Sequence, residues 1–511
     1  MIPEHILPVA VIGAGPIGLA AAAHLIQRGM QPLILEAGAS PAANLDAYRH
    51  VVLFSPWRYN MDPVAKALLA SERWTEPRLD MLPSAGEVID EYLAPLAAHP
   101  QIAPNLYLNS RVTRITRAGF DKVKTAGRDN APFVLRVETT QGEELEYRAR
   151  AVIDAAGTWN QPNPLGANGL PALGEGALAR RISYGMPDVL GSARARFAGM
   201  RVLVVGSGHS AAGTLIALAK LAEEDPSTRL VWAIRGANLA SIFGGGANDG
   251  LPARGALGER LKGLKEAGRL ELHQSFRIQA LRSSGSGITV IGEAPAGHAP
   301  LVIEQVDEIV ACTGSRPNLA LASELRLKLD SWLESTEQLA PLIDPNVHSC
   351  GTVRPHGHRE LAHPESGYYA VGAKSYGRAP NFLMATGYEQ VRSVVAALAG
   401  DMAAADDVQL ELPQTGVCSA SLPTPSGEAE AAGCCGGSPA ADASACCALD
   451  EDAKSAGEEG CGCPTEPVVP DLVAAPAAAS SSCCSPAVTK VAFPKPSRSG
   501  CGPRRNAGSC A

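Results

Sequence analysis

Cysteine is almost missing from the first 400 residues of this 511-residue chain: Cys312 and Cys350 are the two that occur there, and they form no C-x-x-C or comparable redox pair. That argues against a disulfide reductase of the usual kind. The same stretch has no excess of either charge, with 38 basic and 38 acidic side chains. Nucleic-acid binding needs clustered Lys and Arg to displace counterions from phosphates, so no case for a DNA or RNA partner remains. No uninterrupted apolar run reaches membrane-spanning length. Glu4 and His5 precede an apolar stretch that runs into a glycine motif rather than an export signal. A cytoplasmic protein without a membrane partner is the expectation.

What the body lacks, the last 111 residues hold. From Asp401 onward there are 14 acidic and 6 basic residues, which account for the whole net charge of −8, and 11 of the 13 cysteines. This segment is rich in Ala, Gly, Ser and Pro and has one aromatic residue, Phe493, so burial cannot offset its ordering entropy and it is expected to be disordered. In a reducing compartment its cysteines stay thiols. Eight are closely spaced: Cys434 and Cys435, Cys446 and Cys447, Cys461 and Cys463, and Cys483 and Cys484. Zinc modules prefer two to four residues between paired ligands. Soft thiolates at shorter spacing suit thiophilic ions such as As(III), Sb(III), Cu(I) or Cd(II), so these eight are candidate ligands. A redox-buffering tail stays open as the alternative.

The body carries two strand–glycine–helix units. Residues 7–12 (LPVAVI) lead into Gly13-Ala14-Gly15-Pro16-Ile17-Gly18 and an alanine-rich helical stretch, and a second strand at 33–35 ends at Glu36, 18 residues after Gly18. In such a dinucleotide fingerprint Gly13 permits the tight turn, Gly15 admits a pyrophosphate, Gly18 allows close packing, and the acid meets ribose hydroxyls. The helix N-terminus, entered at Pro16, holds the anion. The second unit has strand 201–205 (RVLVV), then Gly206-Ser207-Gly208-His209-Ser210-Ala211, with the allowed alanine in third place. Its following strand, LVWAI, stops at Arg235 where the first unit has Glu36. A guanidinium pairs with a 2′-phosphate, which points to NADPH there and FAD at the first site, with NADH left open as donor. His209 and Ser210 join the second cofactor set.

Further along, VDEIVACTG (306–314) reads as a strand ending in Thr313 and Gly314, and a helix marked by Pro380 carries Thr386 near its start. These three residues are assigned to cofactor binding, with the helix N-terminus a place for a flavin carbonyl. His348, Cys350, His356, His358 and His363 cluster within 16 residues, in a spacing that matches no standard metal pattern, and read as a loop over the pocket with Cys350 a candidate thiol contact.

The two glycine motifs, LPSAGEVIDEYL (82–93), AAGTWNQP (155–162) and ACTGSRPN (311–318) resemble the flavin-containing monooxygenase superfamily over about the first 400 residues. VVLFSPWRYNMDP (51–63), FGGGANDGLPARGALG (243–258) and GAKSYGRAPNFLMATGYEQVRS (372–393) look like the flavoproteins encoded near bacterial arsenic-resistance genes, whose cysteine-rich tails look similar too. One departure is Ile182, which stands where the superfamily's F-x-G-x-x-x-H signature would place its histidine.

The resemblance implies an α/β fold of two Rossmann-like domains, with an FAD domain in two parts (1–165 and 306–402), an NADPH domain at 166–305, and a disordered cysteine-rich tail at 403–511. It also implies an oxidoreductase that passes electrons from NADPH through FAD to O₂ and oxygenates a soft nucleophile, here trivalent arsenicals or related metalloids. Organic amine or sulfide oxygenation, or a flavin-dependent reductase serving the thiol tail, are the alternatives. Trp57, Asn60, Asn248 and Asp249 are the candidate catalytic residues, with Ser55 and Arg254 as further lining. The cofactor carries the hard step, so no catalytic triad is needed. Whether the chain forms a homodimer is left open.

Overall fold

The computed structural model describes residues 7–237, 239, 243, 251–294, 299–347, 353–379 and 383–410. The chain opens with strand β1 (Val9–Ile12), helix α1 (Pro16–Gln27) and strand β2 (Pro32–Leu35). Helix α2 (Pro63–Ala70), strand β3 (Leu106–Tyr107), an antiparallel meander β4 (Ser110–Arg117), β5 (Phe133–Thr139) and β6 (Glu144–Ala149), and strand β7 (Ala151–Asp154) complete its first third. Next come β8 (Ile182–Tyr184), β9 (Arg201–Val205), α3 (His209–Glu224), β10 (Arg229–Ala233), α4 (Pro252–Glu266) and β11 (Glu271–His273). A second meander of β12 (Ile278–Ser284), β13 (Gly287–Gly292) and β14 (Val302–Val306) leads to β15 (Glu308–Ala311), β16 (Tyr368–Ala370) and α5 (Met384–Leu398).

Two five-stranded parallel sheets organise these elements, as the α/β expectation requires: β16-β7-β1-β2-β3 and β11-β10-β9-β15-β8. Their central strands are buried on both faces, which is why VAVI and RVLVV read as continuous apolar runs rather than alternations. In each sheet the chain leaves the central strand through a glycine turn, with neighbours that arrive from opposite sides in sequence. That is the switch point at which open α/β sheets bind ligands. Small alanines along α1 let it pack, buried from Pro16 to Leu25, in the first core together with Val391, Val394 and Val395 of α5.

Three boundaries differ from the sequence reading. Residues 144–153, whose alternation in the sequence suggests one continuous strand, break at Arg150, whose N–H binds the Pro8 carbonyl, and Ala151–Asp154 joins the first sheet beside β1. Strand β15 pairs in parallel with β9 and β8, so the domain boundary drawn at 306 falls inside the second sheet and the return to the first unit comes later. Residues 402–406 are helical and belong to the body: Ala405 is buried and Asp406 pairs with His358 and Arg359. The tail cysteines lie outside the described residues.

The two crossings between the sheets lie side by side. Asn163 N–H donates to the Gly314 carbonyl and Arg316 N–H to the Gln161 carbonyl, both at 2.9 Å, and Ser315 Oγ donates to Thr158 Oγ1 at 2.8 Å. Elsewhere Pro95 interrupts the helical run 85–98. It cannot donate to the Glu91 carbonyl, the run widens into a π-helical turn over Val88–Leu93, and Trp74 Nε1 takes that carbonyl at 2.7 Å. Among the described residues no helix is long and apolar enough to cross a membrane.

Candidate active site

Both glycine turns have the geometry their chemistry demands. Gly13 has φ +93°, and a Cβ there would sit 2.9 Å from the Ala155 carbonyl oxygen; at Gly18 a Cβ would meet the Gly13 carbonyl oxygen at 1.9 Å. Gly15 between them has no protein atom within 4 Å of where a Cβ would stand. Its side is therefore open for a ligand rather than closed by packing. The second turn repeats this: Gly206 has φ +131° and its Cβ would lie 2.2 Å from the Cys312 carbonyl oxygen, whereas Gly208 faces open space within 4 Å. Each open cradle sits at a helix N-terminus, α1 entered with Pro16 in its first turn and α3 starting at His209. Oriented N–H groups and a partial positive charge there fit a pyrophosphate. The residues present thus fit two dinucleotides.

Glu36 closes the first site. Its two oxygens accept the Ala14 and Gly38 amides at 2.7 Å each, which fixes the carboxylate at the cavity wall with lone pairs to spare. Arg235, at the equivalent strand end in the second unit, is exposed, donates to the Ala167 carbonyl at 3.5 Å, and is not part of the wall. A cavity of about 1380 Å³ is shared by the two units: Gly15 and Glu36 from the first, His209, Ser210 and Lys220 from the second. That exceeds the roughly 300–1,000 Å³ of a site for one drug-sized molecule.

The middle of the wall is aromatic and braced. His209 lies against Phe54, ring centroids 5.1 Å apart, and Tyr48 against Trp159 at 4.7 Å. Burial pushes the Tyr48 hydroxyl up to about 12, so it stays protonated. Gly185 makes room for Trp159, because a Cβ there would fall 2.9 Å from the indole. Asn60 is buried and spends its amide on the loop: Nδ2 donates to the Ser55 and Pro56 carbonyls, and Oδ1 accepts from Ser55 Oγ at 3.0 Å. It holds Ser55 at the wall and lines the cavity beside it.

Other sequence assignments are placed elsewhere. Trp57 belongs to the first hydrophobic core, not to the cavity wall. Thr313 and Gly314 sit in the paired crossings, Thr313 Oγ1 donating to the Asn163 carbonyl, and neither lines the cavity. Thr386 is buried in the first turn of α5 with its N–H on the Leu383 carbonyl; Leu383 and Met384 line the wall instead. Arg254 is buried in the first turn of α4 and is not a wall residue. Asn248, Asp249, His348 and Cys350 lie outside the described residues.

The histidines read as a pocket loop are structural. His356 donates from Nδ1 to the Arg354 carbonyl at 2.9 Å and accepts from Gln390 Nε2 at 2.8 Å, a neutral tautomer that burial favours. His358 pairs with Asp406, and His363 Nδ1 accepts the Lys328 N–H at 3.2 Å. None of the three lines the cavity, and among the described residues no group of His, Cys, Asp or Glu could hold a metal ion.

Sequence reasoning missed one wall feature altogether. Lys374, in the turn after β16, is buried, lines the cavity, and places its ammonium 2.5 Å from Asp154 Oδ2 at the end of β7. Asp154 also accepts from the Tyr368 hydroxyl at 3.0 Å. The partners are 220 residues apart, beyond the reach of any local pattern.

Comparison with known proteins agrees with this architecture. The profile of the pyridine nucleotide-disulphide oxidoreductase family matches residues 10–351. No curated protein matches the sequence. Among solved structures, the chain is similar to a bacillithiol disulfide reductase from Bacillus cereus (16% identity, 77% of this chain and 99% of that one, TM-score 0.57). It is also similar to a cadaverine monooxygenase of desferrioxamine biosynthesis from Erwinia amylovora, solved with FAD (14% identity, 83% and 100% coverage, TM-score 0.53). A third is an ornithine hydroxylase from Pseudomonas aeruginosa (16% identity, 78% and 99% coverage, TM-score 0.51). At these identities the likeness is one of fold.

Proposed function

Since the chain belongs to the pyridine nucleotide-disulphide oxidoreductase family and is a flavin-dependent oxidoreductase, we propose that it is an FAD- and NADPH-dependent monooxygenase acting on trivalent arsenicals or related metalloids. The observation that carries the enzyme reading is the pair of open glycine cradles, Gly15 and Gly208, at helix N-termini of two units that share one cavity. FAD would supply the two-electron relay between nicotinamide and O₂. Gly15, Glu36 and the start of α1 hold the flavin dinucleotide; Gly208, His209 and Ser210 hold the nicotinamide dinucleotide, with Arg235 at the strand end suited to a 2′-phosphate. Phe54, Tyr48 and Trp159 line the cavity, and such an aromatic wall would help to keep water from the reaction. For arsenite the balance is H₃AsO₃ + O₂ + NADPH + H⁺ → H₃AsO₄ + NADP⁺ + H₂O.

Oxygenation is favoured over disulfide exchange because Cys312, the free cysteine among the described residues, is buried and its thiol is pushed up to about 12 by that burial. An exchange thiol needs a thiolate. The choice of arsenicals rests on the resemblance and on the tail thiols, which would raise the local concentration of captured As(III). The test is NADPH and O₂ consumption by the full-length, FAD-loaded protein with arsenite, methylarsenite, antimonite or trimethylamine, each scored for oxidised product. Pentavalent product from a metalloid is the expected result. An oxygenated product from trimethylamine alone makes the protein an organic-amine monooxygenase. NADPH-driven appearance of tail thiols without O₂ uptake makes it a reductase.

A further inference from the structure

We propose that Lys374 is a cation set beside the cofactor, held by Asp154, whose charge favours the reduced flavin. This rests on the flavin reading of the first site. The placement follows from topology. In the sheet order β16-β7-β1-β2-β3, Glu36 ends β2 on one side of the glycine turn, while Asp154 ends β7 and Lys374 follows β16 on the other. A dinucleotide whose ribose meets Glu36 and whose pyrophosphate crosses Gly15 extends its remaining half toward β7 and β16. There the wall is formed by Gly372, Ala373, Lys374, Leu383 and Met384.

Lys374 is a residue of the cavity wall and Asp154 is not, so the lysine end of the ion pair lies on the side of the ligand space, with its ammonium turned onto the carboxylate just behind the wall. Both side chains are almost fully buried, at 1% and 0% exposure. A buried ion pair is poor value as a stabiliser, since well-packed apolar residues of similar volume generally do as well. Its retention at a cavity wall needs another reason, and a fixed positive charge beside a group that gains negative charge on reduction supplies one. The carboxylate is locked from behind, with Oδ2 accepting from Tyr368 and Oδ1 from the Ala156 N–H at 3.2 Å.

The turn that carries Lys374 is braced as well. Gln390 of α5, fully buried, accepts the Gly372 N–H at 2.7 Å through Oε1 and donates to Ser375 Oγ at 2.9 Å and to His356 through Nε2. Gln390 and His356 are therefore positioning residues: they fix the backbone on both sides of the lysine.

The test is the midpoint potential of bound FAD in the full-length protein, measured by dye-equilibrated reduction followed by absorbance. The double variant K374M/D154N removes both charges together, so neither is left buried and unpaired, and Lys374→Arg keeps the charge. The double variant should shift the reduction equilibrium about tenfold toward oxidised flavin, about 30 mV for a two-electron couple. Lys374→Arg should stay within about threefold of the parent. Loss of FAD from a double variant with unchanged circular dichroism also supports the assignment, because the lysine then helps to hold the cofactor. Unchanged potential and FAD affinity in the double variant overturn it, as does an equal shift in Lys374→Arg. Neither reading depends on an oxidised arsenical, so failure of the substrate proposal leaves this measurement interpretable; a protein that binds no FAD would instead sink the flavin reading itself.

Discussion

Gly208→Ala separates ligand space from folding space at the second glycine turn. Gly208 has φ −92° and ψ −180°, extended backbone that alanine adopts without strain, and its Cβ would meet no protein atom within 4 Å. By itself the substitution should change stability by less than about 1 kcal/mol, because the gain of about 0.4–1 kcal/mol from the less flexible unfolded chain is offset by alanine being poorer than glycine at this helix N-cap. The new methyl stands where a pyrophosphate needs to approach the backbone. Losing one hydrogen bond to a charged group costs about 1.5–3 kcal/mol, which is about ten- to a hundredfold in Kd. Calorimetric titration of NADPH into the FAD-loaded protein, with FAD content read from absorbance, checks both halves. The expected result is full FAD content with weakened NADPH binding. Undiminished NADPH affinity would refute the cradle argument. Gly206→Ala is the contrasting control: φ +131° and a contact of 2.2 Å with the Cys312 carbonyl oxygen predict damage to the fold, and so less folded protein rather than selectively weaker binding.

Glu365→Gln should be costly. Glu365 is buried and accepts from Arg117 Nε at 2.7 Å, Arg128 Nη2 at 3.0 Å and the Arg326 N–H at 2.9 Å, so neutralising it strands two buried cations at about 3–5 kcal/mol. Faster amide exchange in β4 and β5 checks it, and unchanged exchange would count against it. Acid should destabilise the body through His363, which burial lowers to about 4. Between the unfolded value of about 6.5 and that folded value the unfolded chain binds the extra proton. Stability therefore falls as pH drops through the window, by up to about 1.4 kcal/mol per unit, and His363→Gln should flatten the slope of a urea-midpoint series against pH. Truncation after Leu410 should keep FAD and the melting temperature while abolishing metalloid binding. Truncation after Gly400 should in addition lower the melting temperature, because it removes Ala405 and the Asp406 pairs to His358 and Arg359. Equal melting temperatures for the two would show that those contacts contribute nothing.

The parts of the site legible in the sequence are those whose chemistry is local. A tight turn, an open cradle and a helix start occupy six consecutive residues, so Gly13, Gly15 and Gly18 declare themselves, as do Gly206 and Gly208. Thr313 and Gly314 show how the same signal misleads: a strand ending in a small residue and glycine serves a crossing between sheets as well as a cofactor site. The resemblance offers both Trp57 and Asn60 as catalytic candidates; Trp57 packs the core, whereas Asn60 lines the cavity while its amide braces its own loop. Strand β15 could not be assigned to its sheet, because pairing with Arg201–Val205 is a non-local event that an apolar run does not encode. Lys374 and Asp154 were hidden for the same reason.

The paired crossings also bear on how such a chain is assembled. Residues 163 and 314 are joined by a backbone hydrogen bond of 2.9 Å, so everything between them enters and leaves at a single point on the first unit. Its ends are already adjacent, and the loop-closure entropy of hosting it falls on that short clasp rather than on the host sheet. The stretch behaves as a cassette: it should be transplantable into, or excisable from, the host at Asn163 and Gly314 with a two- or three-residue bridge.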